Sequence, residues 1–150
     1  MNTAWRVWDG EQMSYYGDRG ICLSIGELGS IDGKVFGWSL WLEGYGVIAH
    51  SGDGKSVLMW DADQLETNSI YKNSLFRKRI YAGDIVQQEE TELGSPYGPG
   101  KFIGEVKMIE GQWCIVNEKK EEARPLFSET ATNQLIGDVY QNPELLEGAE

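Results

Sequence analysis

The stretch Leu135-Ile136-Gly137-Asp138-Val139-Tyr140-Gln141-Asn142-Pro143-Glu144-Leu145-Leu146 decides the fold. From Gln134 to Tyr140 it reads as a strand carrying Leu, Ile, Val and Tyr, the residue types that suit a pleated surface. It then leaves the sheet through one helical turn. Asn142 is a good N-cap, Pro143 suits the first helical position, and Glu144 favours the positive helix end. The stretch reads as the closing strand of the chain, ending in a capped helical turn.

Working back from that end, short strands recur every eight to twelve residues between glycine turns, the pattern of a small barrel or sandwich. Ala4 to Trp8 is followed by the Asp9-Gly10 turn, and Ile21 to Ile25 by a hairpin-type turn at Asp32-Gly33-Lys34. In Val35 to Glu43, Phe36, Trp38, Leu40 and Leu42 share one face. Trp41 stands on the other, which implies a strand covered on both sides or placed at an interface. Gly46 to His50 and Ser56 to Trp60, joined by Ser51-Gly52-Asp53-Gly54, form the best hairpin signal. Asp61 to Ser74 is ambiguous, with Asp61 placed to cap a short helix through Leu65. Arg79-Ile80-Tyr81, the Gly83-Asp84 turn and a strand from Ile85 come next. Glu89 to Gly100 reads as a long loop. Phe102 to Met108 and Gln112 to Val116 flank a turn at Glu110-Gly111. Glu118 to Arg124 reads as a charged loop, and Leu126 to Thr132 as a single helical turn.

Composition narrows the class further. The chain has 150 residues, six Trp, seven Tyr, nineteen Gly and four Pro, so it is a packed, turn-rich globule. At this length roughly 68–70% of the unfolded surface is buried, and no disulfide staple is needed. Thirteen Lys and Arg against twenty-four acids give a net charge of −11, which disfavours generic nucleic-acid binding. Cys22 and Cys114 lack metal or redox spacing and read as buried structural thiols in a reducing compartment. The N-terminus carries no secretion pattern, and no apolar run reaches the ~18–20 residues that cross a bilayer, so the expectation is a cytoplasmic protein without membrane contact.

Candidate chemistry is sparse. Ala49-His50-Ser51-Gly52-Asp53-Gly54-Lys55-Ser56 fits the loose form of a phosphate-binding loop. The next residues, Val57 to Trp60, look like a strand rather than the required helix, so a turn is the better reading. His50, the sole histidine, has no evident orienting acid. Asp61 and Asp63 lack the ligand spacing of a calcium loop. No catalytic residue, metal or cofactor is expected. Trp5, Trp38 and Trp60 read as core, whereas Trp8 and Trp41 stand as interface candidates. Tyr71, Lys72, Phe76, Arg77, Lys78 and Arg79 interleave aromatic and basic groups in the chain's one positive concentration; a solvated turn is the ordinary account of such a run.

Three stretches together resemble the YopX family of phage and prophage proteins. They are Ala4-Trp5-Arg6-Val7-Trp8-Asp9-Gly10-Glu11-Gln12-Met13, Ile80-Tyr81-Ala82-Gly83-Asp84-Ile85-Val86, and Leu135 to Leu146, with the Gly104-Glu105-Val106-Lys107 strand between the last two. Where members usually carry a Tyr-Thr-Gly-Leu type stretch and an Asp/Asn-Gly turn, this chain has Ser69 to Arg77. The resemblance implies a mainly β fold: a small N-terminal β portion packed on a C-terminal SH3-type β-barrel, with short helical turns. It implies one unit over residues 1–150, with approximate lobes at 1–65 and 76–146. It also implies phage or prophage origin, and it supplies no catalytic residues.

The functional expectation is a non-enzymatic association module forming a homo-oligomer, with a host or phage protein as a further partner. Two other readings stand beside it. One is nucleic-acid contact through Lys72, Arg77, Lys78 and Arg79. The other is an acidic surface that mimics DNA and occupies a host protein's basic groove.

Overall fold

The computed structural model describes residues 4–30, 33–67, 78–96 and 98–147, with the side chains of residues 27–30 and 33–36 excepted. The chain is mainly β and divides into two compact units, Met1–Trp60 and Asp61–Glu150.

In the first unit, β1 (Trp5–Trp8) lies between β2 (Met13–Tyr15) and the start of β6 (Val57–Leu65), antiparallel to both. The β1–β2 turn forms where expected. Asp9 Oδ1 accepts the Glu11 and Gln12 N–H groups at 2.8 Å, and Gly10 supplies the φ of 104° that a side chain would resist. A three-stranded antiparallel sheet runs β3 (Ile21–Ser30), β4 (Gly33–Leu42), β5 (Gly46–His50). The β3–β4 pairing continues down to Ser30 opposite Gly33, so this hairpin is present and its Ile31-Asp32 link falls outside the described residues. Trp5, Val7, Leu40 and Ala49 form the core, with Ile21, Leu23, Trp38, Ile48 and Leu58 packed against them.

The hairpin expected across Ser51–Gly54 does not form. β5 pairs with β4, whereas β6 pairs with β1 and, from Asp61 on, with β7 (Arg79–Tyr81). The physical reason is the Asp53 carboxylate. It gathers the N–H groups of His50, Lys55 and Ser56 together with the Ser56 hydroxyl, holding residues 51–56 as a wide self-bonded arch between two sheets. β6 also overturns the expected helix after Asp61. A bulge between Asp61 and Gln64, with Asp63 at φ 61°, lets the strand continue instead.

The second unit is built on a five-stranded antiparallel sheet, ordered β11 (Glu122–Pro125), β10 (Gln112–Asn117), β9 (Gly100–Ile109), β8 (Asp84–Glu90), β12 (Thr132–Asp138). The sheet curls as a half-barrel. The core of this unit is Ala62, Ile80, Val86, Phe102, Val106, Ile115 and Leu126, with Trp113 and Leu135 packed against them. The Gly83-Asp84 turn behaves as its residues dictate: Gly83 takes φ 86°, and Asp84 Oδ2 accepts the Tyr81 N–H at 2.8 Å. Glu110 and Gly111 both take positive φ, the two-residue turn that matches strand twist.

Three local expectations are corrected. Glu122–Pro125 is a strand rather than loop, because Cys114 to Asn117 offers it a ladder. Leu126 to Thr132 forms no helical turn; the Ser128 hydroxyl accepts the N–H groups of Thr130 and Ala131 and bends the chain instead. The closing strand spans Thr132–Asp138, and the exit beyond it is capped by Asp138, whose Oδ1 accepts the Tyr140 and Gln141 N–H groups at 2.9 Å. The Asn142 carboxamide faces back to the Asp138 N–H at 3.3 Å and lies over Gly137, ahead of helix α1 (Glu144–Glu147).

Candidate functional site

Among the described residues no group of three or more His, Cys, Asp or Glu side chains is placed to hold a metal ion. The residues singled out for chemistry serve the chain itself. Burial pushes the Asp53 carboxyl up, but hydrogen bonds from the Ser56 hydroxyl and from the Lys55, Ser56 and His50 N–H groups outweigh it. The carboxyl is therefore held well below the usual carboxylate range. It takes up loop N–H groups that a phosphate would need as donors, and a strand rather than a helix follows. His50 Nδ1 accepts the Gly52 N–H at 3.1 Å, so the neutral ring carries its proton on Nε2. A histidine held as that tautomer donates at Nε2 and does not deprotonate a neighbouring hydroxyl from there. Asp61 is a buried strand residue. It accepts the Asp63 N–H at 2.7 Å on Oδ1 and binds the Arg79 guanidinium with Oδ2.

Buried polar groups in the second unit are also internally committed. Gln88 Nε2 donates to the Pro125 carbonyl and to Asn133 Oδ1 at 3.1 Å, and Asn133 donates to the Leu126 carbonyl at 2.8 Å. The Glu66 carboxylate accepts the Leu135 N–H at 3.1 Å, and Asn117 donates to the Ile103 carbonyl at 2.9 Å. Such satisfied networks fix loops to strands.

The expected basic patch is only partly described. Tyr71, Lys72, Phe76 and Arg77 lie outside the described residues. Lys78 and Arg79 are both exposed. Arg79 is bound to Asp61, and that hydrogen bond raises its already high pKa against the opposing effect of burial. One of the four cations thus has a structural occupation that sequence spacing did not reveal.

The tryptophans separate differently from expectation. Trp5 is buried and meets Tyr16 edge-on with ring centroids 5.9 Å apart. Trp38 is half-buried against the core, and Trp8 is half-buried as well. Trp60 is exposed, not core: β6 alternates, burying Met59 and Asp61 and turning Trp60 outward. Trp41 is 44% exposed on the outer face of the β3-β4-β5 sheet. The strand register sets it between Cys22 and Val47, an apolar row that only the register discloses. Its indole N–H donates to Ser24 Oγ of β3 at 3.0 Å. Cys22 is exposed, contrary to expectation, whereas Cys114 is buried and burial pushes its thiol pKa up; both are free thiols. Near this face a shallow hollow of about 330 Å³ is bordered by Ile25, Gly26, Trp38, Ser39 and His50. No helix among the described residues is long and apolar enough to cross a membrane.

Comparison with known proteins extends the partial sequence resemblance to the whole chain. The family model described as YopX protein matches residues 76–147. The SPbeta prophage-derived uncharacterized protein YopX of Bacillus subtilis (strain 168) is 34% identical over 150 residues, covering all of both chains. The X-ray crystal structure of protein yopX from Bacillus subtilis aligns with a TM-score of 0.63 and 32% identity, over 97% of this chain and 98% of that one. Identity at that level across the full length of both chains, together with the shared fold, places this chain in the YopX family.

Proposed function

We propose that this chain is a phage- or prophage-encoded, non-enzymatic association module that acts in the cytoplasm as a homo-oligomer. In this reading the curled sheet of the second unit is an SH3-type barrel. The observation that carries the reading is the outer face of the β3-β4-β5 sheet. Trp41 and Val47 stand 44% and 41% exposed, side by side on adjacent strands, beside the exposed Cys22. Contiguous apolar surface of this kind marks an interaction site more often than scattered single residues do. The inward commitment of the buried polar groups supports a role without catalysis.

Multi-angle light scattering at micromolar concentration tests it. The expected result is a mass that is a multiple of the single chain, undiminished as salt rises. With a net charge of −11 on each copy, screening helps copies approach rather than parting them. A strict monomer overturns the proposal. Contact with nucleic acid through Lys72, Arg77, Lys78 and Arg79 has the opposite signature, binding that falls steeply with salt. The Asp61–Arg79 pair weighs against that reading, as does the net charge. An acidic DNA mimic would instead form a complex with a basic host protein, also weakened by salt.

A further inference from the structure

Sheet edges are where a β fold is least protected, and most edges here are short or covered; β5, the edge opposite β3, is five residues long and interrupted by a bulge facing Leu40 and Trp41. β2 and β7 are three residues long, and β11 is four and ends in Pro125. β12 is covered at Leu135 by the Glu66 carboxylate and at Asn133 by the Thr67 N–H. Short strands, proline and side-chain cover are the usual ways to blunt an edge. Among the described residues β3 has none of them. It is ten residues long, lies at the edge of its sheet, contains no proline, and carries one charge, Glu27. Its Ile25 is 53% exposed.

The backbone alternation shows what that edge offers. The Glu43 N–H bonds to the Gly20 carbonyl at 2.8 Å, so even-numbered β3 residues exchange hydrogen bonds with β4. Leu23, Ile25 and Glu27 therefore turn their N–H and C=O groups to the open side. β5 supports β4 only from Ser39 to Leu42, while the β3–β4 ladder continues to Ser30 and Gly33. The distal part of this hairpin is two-stranded among the described residues, and two-stranded ribbons are marginal in water without further support.

Resting on the association reading above, we infer that β3 is the self-association edge, pairing antiparallel with β3 of a second copy about a two-fold axis through Ile25. Antiparallel pairing sets odd residues opposite odd ones, so Ile25 faces Ile25 and Leu23 faces Glu27 of the other copy. No like charges are opposed. The two Glu27 positions stand four residues apart along the strand, about 13 Å, beyond the Debye length of ~10 Å at 0.1 M salt. A nearly neutral strip is the surface through which two copies, each of charge −11, can approach. An isologous edge needs no second complementary surface elsewhere on the chain.

Cys22 is exposed on the outer face beside Trp41, so it serves as a native reporter once light scattering shows that the labelled protein keeps the mass of the unlabelled one; Cys114 is buried. Nitroxide labelling of Cys22 followed by pulsed dipolar spectroscopy should give a separation on the order of 20 Å, six residues of strand rise plus one interstrand step. Ile25→Lys and Ile25→Pro, the second removing the edge N–H itself, should weaken association about tenfold or more by light scattering. Near-ultraviolet circular dichroism unchanged in Ile25→Lys keeps that result meaningful if Ile25→Pro fails to fold. If wild type associates while Ile25→Lys associates equally, or the labels lie far from 20 Å, the β3 assignment falls and the association reading stands. A monomeric wild type overturns both.

Discussion

Gly104 is the position where a single methyl group should cost this fold most. It sits on β9 opposite Val86, and a Cβ built there would lie 2.6 Å from Ile115 Cγ2, 2.8 Å from the Val116 carbonyl oxygen and 2.9 Å from its carbon. Carbon contacts are optimal near ~3.5–4.0 Å, so all three are repulsive. Ile115 is 0% exposed and has no open space to rotate into. Val116 is tied into the β9–β10 ladder opposite Glu105, so its carbonyl yields only by spoiling that pairing. Overpacking typically costs about 1–3 kcal/mol; with backbone among the clashing atoms, Gly104→Ala should lie near the top, at about 3 kcal/mol. For a unit of this size that lowers Tm by on the order of 10–20 °C. Urea denaturation with an unchanged m-value, paired with a thermal melt, measures it. Gly94→Ala is the control: its added Cβ meets nothing within 4 Å, and its φ is not positive, so the change should stay within about 0.5 kcal/mol. If Gly104→Ala proves as mild as Gly94→Ala, the close approach of β9 to β10 is not real.

Asp61→Ala leaves the Asp63 N–H without its carboxylate and removes the partner of Arg79, which stays half in solvent; the expected loss is about 2–3 kcal/mol by urea denaturation, and a loss under about 0.5 kcal/mol would deny the pair a structural role. Arg79→Ala should destabilise as well, by leaving a buried carboxylate uncompensated, so Lys78→Ala is the cleaner probe of nucleic-acid contact. Asp53→Asn should separate from wild type in a pH-dependent way. The folded carboxyl titrates below its unfolded value of ~3.9, so its stabilisation is complete above about pH 4 and fades as pH falls through the folded pKa. A difference between the two proteins that is the same at pH 7 and pH 3 contradicts the arch geometry.

What can be read from the sequence tracks the range of the forces involved. Asp9-Gly10, Gly83-Asp84 and Glu110-Gly111 are legible because a turn is set by two or three adjacent residues. The β3–β4 hairpin is legible because its two strands are neighbours with matching alternation. The segment after His50 is not. Both flanking strands show in the sequence, but their pairing is misassigned, since period-two alternation says which face a residue takes and nothing about which strand lies beside it. The same blindness places Trp60 in the core. Asp61 to Leu65 fails for another reason: the bulge at Asp63 breaks alternation, so a strand resembles a helix start. β11 hides in Glu122-Ala123-Arg124-Pro125, whose strand character is induced by the ladder of Cys114 to Asn117 rather than by its own propensity. Of the candidate site, Trp41 is visible as an apolar residue on a polar face, but its row with Cys22 and Val47 needs the register. The role of Arg79 needs a partner eighteen residues away.

The segments that carry the family resemblance share a physical character that explains why they say little about function. Gly83 and Asp84 form a turn against the Val106 carbonyl; Gly137 admits the Asn142 carboxamide to 2.6 Å of where a Cβ would stand; Gly104 admits β10. Each is a point where a backbone or side chain approaches too closely for another residue, or where a carboxylate closes a turn, so these contacts serve the fold. Gln88, Asn133, Glu66 and Asp138 are likewise spent on holding loops to strands. Among the described residues, the backbone at the β3 edge and the apolar row at Trp41 are outward-facing features that these architectural contacts do not use, and features of this kind suit extended chain and apolar surface. If the proposed pairing through β3 holds, residues of Ile21–Ser30 whose backbone faces the open side can alter it without touching the contacts at Gly83, Gly104 and Gly137.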